Sequence, residues 1–234
     1  MEIEDRISSI EKRINYVFSD KSLIFEALCH SSYVNERRDE HIKCNERLEF
    51  FGDAVLSMIV SEYLYFEYPA LNEGGLSAMR REIVDSETLA YYAEKIDVGA
   101  SLMLGHGEDQ NGGRHRRSNL EDAFEALVAA VYIDGGIEAA RSFVIPLISE
   151  TAEKNYSQHR LSDSKSKLQE IVQRGGGEAP RYVITGESGP DHKKHFECDV
   201  LVDENVMGHG SGPSKKDAEK AAAAQALAYF GENL

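Results

Sequence analysis

The chain has 234 residues, with 41 Asp+Glu against 26 Lys+Arg for a formal net charge of −15; 41% of residues are hydrophobic and 29% charged. This balance excludes a collagen-like, disulfide-dense or wholly disordered chain and fits one large folded domain or two small ones. Taken whole, the acid excess also argues against a nucleic-acid partner, because phosphate binding normally leaves a basic footprint.

The opening stretch, MEIEDRISSIEKRINYVF, is acidic and amphipathic and lacks the basic and apolar regions of a secretory signal. No stretch approaches the ~18 apolar residues of a membrane span. Cys29, Cys44 and Cys198 are scattered, without disulfide or metal-ligand spacing, so a reducing, cytoplasmic location is expected. Residues 1–150 read as almost continuous helix, with apolar positions at helical spacing in Leu48, Phe51, Val55, Ile59 and Tyr63, and again in Leu120, Phe124, Leu127, Val128 and Val131. Breakers fall at YPALNEGG (68–75) and LGHGEDQNGG (104–113). Ser118 is placed to cap the helix that follows, with Glu121 three residues on as in a capping box.

The texture changes near 150–162, where SETAEKNYSQHRLSDS reads as a linker or a frayed helix end. Beyond it come an amphipathic helix, KSKLQEIVQR, stopped by Gly175, Gly176 and Gly177, then three alternating strand patterns, RYVITGES, HFECDVLV and NVMGHGSG. An Ala-rich helix closes the pattern, with Ser214 as N-cap and Asp217 in the capping-box position. The charge divides unevenly. Residues 1–155 hold 16 basic and 29 acidic residues, whereas 156–234 hold 10 and 12. The acid excess is thus concentrated in the helical part.

In NERLEFFGDAVLS (45–57), Glu46, Glu49 and Asp53 fall on one helical stripe, with Leu48, Phe51 and Val55 on another. Gly52 leaves room for close approach of another backbone, at a cost of about 1 kcal/mol relative to Ala. LEDAFEALVAAVYIDGG places Asp122 and Glu125 at i, i+3 on an otherwise apolar helix. Two readings stand. Either these are solvated acidic faces, or two helices bring Glu49, Asp53, Asp122 and Glu125 together as hard oxygen donors. Such a set suits Mg2+ or Mn2+ rather than Zn2+, and serves phosphodiester hydrolysis. Glu73, in LNEGGLS, is a further acidic candidate on a loop.

NERLEFFGD closely resembles the signature of the ribonuclease III family, which usually has Leu where this chain has Phe51. HSSYVNE (30–36), NEGGLSAMRREIVDSETLA (72–90), LGHGEDQNGGRHRRSNLEDAFEALVAAVYIDGG (104–136) and the C-terminal segment are similar to the same family, in the same order. The resemblance implies an all-α endonuclease and dimerisation domain over 1–150, a linker at 151–161, and an α-β-β-β-α double-stranded-RNA-binding domain over 162–234. It implies Glu49, Asp53, Asp122 and Glu125 as the Mg2+ set, with Mn2+ a possible substitute, and Asp53 and Glu125 as catalytic. Glu46 and Glu73 match acidic positions beside the cleft, and Phe50 matches an aromatic knob packing into the second copy of a homodimer. Phe51 in place of Leu is expected to be absorbed by core packing.

The expected reaction is hydrolysis of double-stranded RNA to 5′-phosphate and 3′-hydroxyl ends with a short 3′ overhang, acting on structured precursors such as those of ribosomal and some messenger RNAs. RNA contacts are expected from Gln169 and Glu170 on the first helix of the second domain, His192 in the loop after its first strand, and Lys215, Lys216 and Lys220 at the start of its last helix. The basic run containing Arg114, Arg116 and Arg117 is either RNA-facing, the favoured reading, or a solvated charge run. Two other functions compete: an RNA-binding regulator with a dead nuclease domain, and a structural dimer without RNA. The presence of all four acids argues against the first, and the C-terminal domain against the second.

Overall fold

A computed structural model of the chain describes residues 2–37, 41–190 and 193–230, with side chains throughout these except at 158–163. Two compact units divide between Glu153 and Lys154.

The first unit is helical: α1 (Ile3–Ile14), α2 (Lys21–Leu28), α3 (Ser31–Glu36), α4 (Glu46–Glu67), α5 (Glu73–Ile83), α6 (Ser86–Lys95), α7 (Val98–Ser101), α8 (His106–Gln110), a 3-10 turn at Gly113–His115 and the start of α9 (Arg117–Arg174). Several helix starts carry side-chain caps. Asp20, Asn72 and Asp85 accept from the backbone N–H of Ser22, Gly75 and Thr88. Asp134 ties the turn before α2 to α9 by accepting from the Tyr16 hydroxyl at 2.7 Å and from the Ser19 and Asp20 N–H groups at 2.8 and 2.9 Å.

The α9 stretch from Ala123 to Val131 is apolar on almost every face, which makes it the central helix. Phe124, Leu127, Val128 and Val131 are fully buried there. Its helical conformation breaks at Gly136 (φ 77°, ψ −175°), a backbone state open to glycine. Against it, α4 presents Leu48, Val55, Leu56, Ile59, Val60 and Leu64, all buried.

Three expectations change in this unit. The 68–75 breaker is shorter than its glycines suggest, because Gly74 and Gly75 lie in the first turn of α5, capped by Asn72. The 104–113 loop contains α8. Phe51 stands at the rim instead of in the core, 37% exposed and edge-on to Tyr132 at 5.5 Å. In the stretch read as a linker or a helix end, the backbone over 151–161 is helical, within α9.

The second unit takes the C-terminal part of α9, then β1 (Arg181–Ser188), β2 (His195–Val202), β3 (Asn205–Gly212) and α10 (Lys215–Tyr229). The antiparallel sheet has order β1-β2-β3. The strands and both helices fall where alternation and periodicity place them. Gly176, at φ 81°, ends the first helix, and Asp203 and Glu204, both at positive φ, make the tight β2–β3 turn. Ser214 caps α10, its hydroxyl accepting from the Asp217 N–H at 3.1 Å. The core joins Leu168 and Val172 of α9 to Cys198 and Val200 of β2 and to Ala222, Ala226 and Leu227 of α10, with Tyr182 and Phe196 packed on it. The Ala-rich face of α10 lies directly on Gly208 and Gly210: a Cβ on either would collide with α10 backbone atoms at Ala222.

Candidate functional site

The crossing of α4 and α9 builds the candidate site. A Cβ on Gly52 would come closer to the Glu125 carbonyl oxygen than the 3.0 Å that real Cβ atoms respect, and would stand 3.1 Å from the Glu125 Cα. The two backbones therefore touch. Glu49, one turn before Gly52 on α4, and Asp53, the residue after it, are brought to Asp122 and Glu125 on α9.

The electrostatics show the gathering. Burial pushes the Glu125 carboxyl up to about 8, and negative Asp53, Glu121, Glu49 and Asp122 add to the shift. Burial also lifts Asp122 to about 6, helped by Glu49, Glu121 and Glu46. Glu49 is raised by burial and then by Glu46 and Glu121. Among the described residues, no Lys or Arg pairs with Glu49, Asp53, Asp122 or Glu125. Glu49, Asp122 and Glu125 are half-buried and Asp53 is exposed; half-buried carboxylates without a counter-charge are costly, so the donor set fits a hard divalent cation in chemistry. In position it is looser: among the described residues, no three His, Cys, Asp or Glu side chains converge on a point that could hold an ion. Shared ligation requires side-chain rotation, which the long Glu49 and Glu125 side chains allow.

Glu46 belongs with the cluster, raising both Glu49 and Asp122. Glu73 does not contribute to the shift of any of the cluster acids. It is the first residue of α5, not a loop residue, and accepts from the Ser77 hydroxyl at 2.8 Å. It lines an apolar groove of about 470 Å3 with Leu64, Tyr65, Leu71 and Leu76. Sequence reasoning missed Glu121. Its carboxylate turns away from the expected cap at Ser118 and accepts from the Ser86 hydroxyl, while α9 itself begins a residue earlier, at Arg117.

The basic run divides by residue. Arg114 is committed inside the domain: it donates to the carbonyls of Gly99 and Leu102 at 3.0 and 2.9 Å, closing the end of α7, and pairs with Asp109 at 2.7 Å. These contacts occupy the Arg114 guanidinium within the domain. Arg116 pairs with Glu108 at 2.6 Å, and buried Asn119 ties the same carboxylate to the Gly113 carbonyl. Arg117 is exposed and has no ion pair among the described residues.

In the second unit Gln169 and Glu170 are exposed, and Glu170 pairs with Arg174 at 2.6 Å, one turn on. Lys215 and Lys216 are exposed in the first turn of α10, and neither they nor Lys220 form an ion pair among the described residues, although Lys215 adds to the effect of Lys194 in holding the Glu187 carboxyl down. Cations at a helix N-terminus oppose its dipole, which makes this an unfavourable place for them unless an anion is to be bound. His192 lies outside the described residues. Phe50 is 82% exposed on α4, with Met58 and Tyr65 also exposed along the helix.

Comparisons with known proteins bear on each unit. A ribonuclease-III-like family model matches residues 20–151, and a double-stranded RNA binding motif matches 164–230. A Ribonuclease 3 of Caldanaerobacter subterraneus subsp. tengcongensis is 46% identical over 225 residues, covering 96% of this chain and 98% of that protein. The Ribonuclease 3 of Bacillus licheniformis is 42% identical, over 96% of this chain and 90% of its own. Among solved structures, the nuclease domain of ribonuclease III from Campylobacter jejuni, described for flexibility in a region involved in dimer formation, superimposes with a TM-score of 0.57. It is 35% identical and covers 62% of this chain and 96% of that one.

Proposed function

Since the chain belongs to the ribonuclease III family and carries its nuclease and double-stranded-RNA-binding parts, we propose that it is a Mg2+-dependent endoribonuclease that cuts double-stranded RNA as a homodimer. The observation that carries this reading is the gathering of Glu49, Asp53, Asp122 and Glu125 about the Gly52 crossing, where no Lys or Arg pairs with them among the described residues.

These four carboxylates would hold the cation. When bound, Mg2+ or Mn2+ supplies Lewis acidity toward water and the scissile phosphate. The rest falls to the chain. Glu125 lies at the crossing with Asp53 beside it on α4; burial and then the Asp53 charge raise the Glu125 carboxyl, which would have to lose its proton to hold the cation. Burial keeps part of the Glu125 population protonated near neutral pH, so occupancy of the site rises with pH.

Recognition follows from the second unit. Lys215 and Lys216 would meet phosphates with help from the α10 N-terminus, and Gln169 and Glu170 would face a minor groove, the mode suited to A-form duplexes. Arg117 remains the nuclease residue best placed to add a phosphate contact.

Dimerisation follows from α4. An 82% exposed Phe is a poor solvent-facing residue, and a second copy of this chain would cover it. Two clusters would then serve the two strands, leaving 5′-phosphate and 3′-hydroxyl ends with a short 3′ overhang. Structured cytoplasmic precursors, such as those of ribosomal and some messenger RNAs, are the expected substrates.

A labelled RNA duplex incubated with the purified chain tests this. Cutting is expected with Mg2+, stopped by EDTA, and absent on a single strand of the same sequence. Binding without cutting in both Mg2+ and Mn2+ would leave a duplex-binding regulator; no duplex binding would remove RNA from the account.

A further inference from the structure

Glu121 and Ser86 form a pair for which the proposed reaction has given no role. Glu121 stands one helical turn before Glu125, at i, i+4, and next to Asp122, so α9 presents it on the side of the acid cluster. Ser86 lies in the first turn of α6, and its hydroxyl donates to Glu121 Oε2. That bond joins helices 35 residues apart in sequence and holds a half-buried carboxylate in one orientation. Among the described residues Glu121 has no Lys or Arg partner. Its charge is felt by Glu49, Asp122 and Glu125 alike.

Local helix stability does not account for this arrangement. A glutamate here could serve its own helix as a capping-box residue, yet it points to another helix. It is also fixed beside Glu49, Asp122 and Glu125, where like charges repel. One Glu121 oxygen is engaged by Ser86, which disfavours direct ligation; the other is available to a water. We propose that Glu121, held by Ser86, is a positioning residue of the metal centre: a fifth carboxylate that raises its affinity for a divalent cation and orients that cation's water shell without ligating it. This rests on the metal-dependent nuclease reading above.

Glu121→Gln separates charge from structure, because the amide oxygen can still accept from Ser86. Mn2+ binding is measured by calorimetry on the full chain without RNA, beside the Mn2+ dependence of duplex cleavage. Glu121→Gln is expected to weaken Mn2+ binding roughly tenfold, the lower end for outer-shell partners of a metal site. The Mn2+ concentration for half-maximal cleavage should rise in parallel, and the maximal rate should fall far less. Ser86→Ala keeps the charge but frees the side chain, and should fall between wild type and Glu121→Gln; it also serves if the latter fails to fold. Wild-type Mn2+ affinity in both variants would overturn the proposal and leave the pair a tie between α6 and α9. If the wild type itself bound no Mn2+ and left duplex uncut, the metal-dependent reading would fall, and this inference with it.

Discussion

Gly52 on α4 and Glu125 on α9 meet backbone to backbone, so that a single methyl group on Gly52 would collide with the Glu125 carbonyl. The contact sets the spacing of the helices that carry all four candidate ligands. Gly52→Ala should therefore separate them. Overpacking of this kind costs about 1–3 kcal/mol, and misplacing a catalytic group by ~1 Å can cost on the order of 100-fold in rate. A thermal melt and a cleavage assay at saturating Mg2+ measure the two effects. A wild-type rate from the variant would show that the crossing does not position the acids.

The raised carboxyls make stability depend on pH in a stated direction. A carboxyl whose folded pKa lies above its unfolded value stabilises the fold while protonated, and this contribution disappears as pH rises through the folded value. With Asp122 raised from 3.8 to about 6 and Glu125 from 4.5 to about 8, the melting temperature without divalent cation should fall between about pH 4 and 8. Mg2+ should reverse the fall, and its binding at pH 7 should release protons. Calorimetric Mg2+ titrations in buffers of different ionisation enthalpy detect that release; an enthalpy independent of buffer would argue against partly protonated ligands.

The basic run should divide by experiment as it does by contact. Arg114→Ala leaves the carbonyls of Gly99 and Leu102 without their donor, a loss of about 1–3 kcal/mol. It should appear as a lowered melting temperature. Arg117→Ala should leave the melt unchanged and weaken duplex binding. The opposite pattern would restore Arg114 as the RNA contact.

In the second unit, Lys215→Ala and Lys216→Ala should each weaken duplex binding whatever the sequence, and each should reduce the salt dependence of log K by about 1. Gly210→Ala tests the packing beneath them. Its Cβ would strike the Ala222 N–H on α10, so binding should be lost through unfolding of this unit. Binding isotherms across a salt series separate the two causes.

Much of this was legible locally. Period-two alternation located β1 to β3, the glycines after Arg174 ended a helix, and Ser214 with Asp217 announced α10. Gly52 inside a helix signalled a close approach. What was not legible depends on partners distant in the chain. A glutamate three residues after a serine reads as a cap, yet Ser86 claims Glu121 from another helix. Arg114 in a dense basic run reads as solvent-facing, but the carbonyls at the end of α7 take it. Phe51 has helical core spacing, and only the position of Tyr132 shows that it lies at the rim. Bulk charge misled for a related reason, because net charge ignores placement: Glu49, Asp122 and Glu125 gather at one helix crossing, while Lys215 and Lys216 stand at one helix end.

The most direct test of the central claim is Glu125→Gln, assayed for duplex binding and duplex cleavage on the same preparation. The exchange keeps the shape of the side chain and removes the charge nearest the helix crossing. The variant is expected to fold, to bind the duplex as tightly as wild type and to leave it intact in Mg2+. A Glu125→Gln chain that cuts the duplex at the wild-type rate would contradict it.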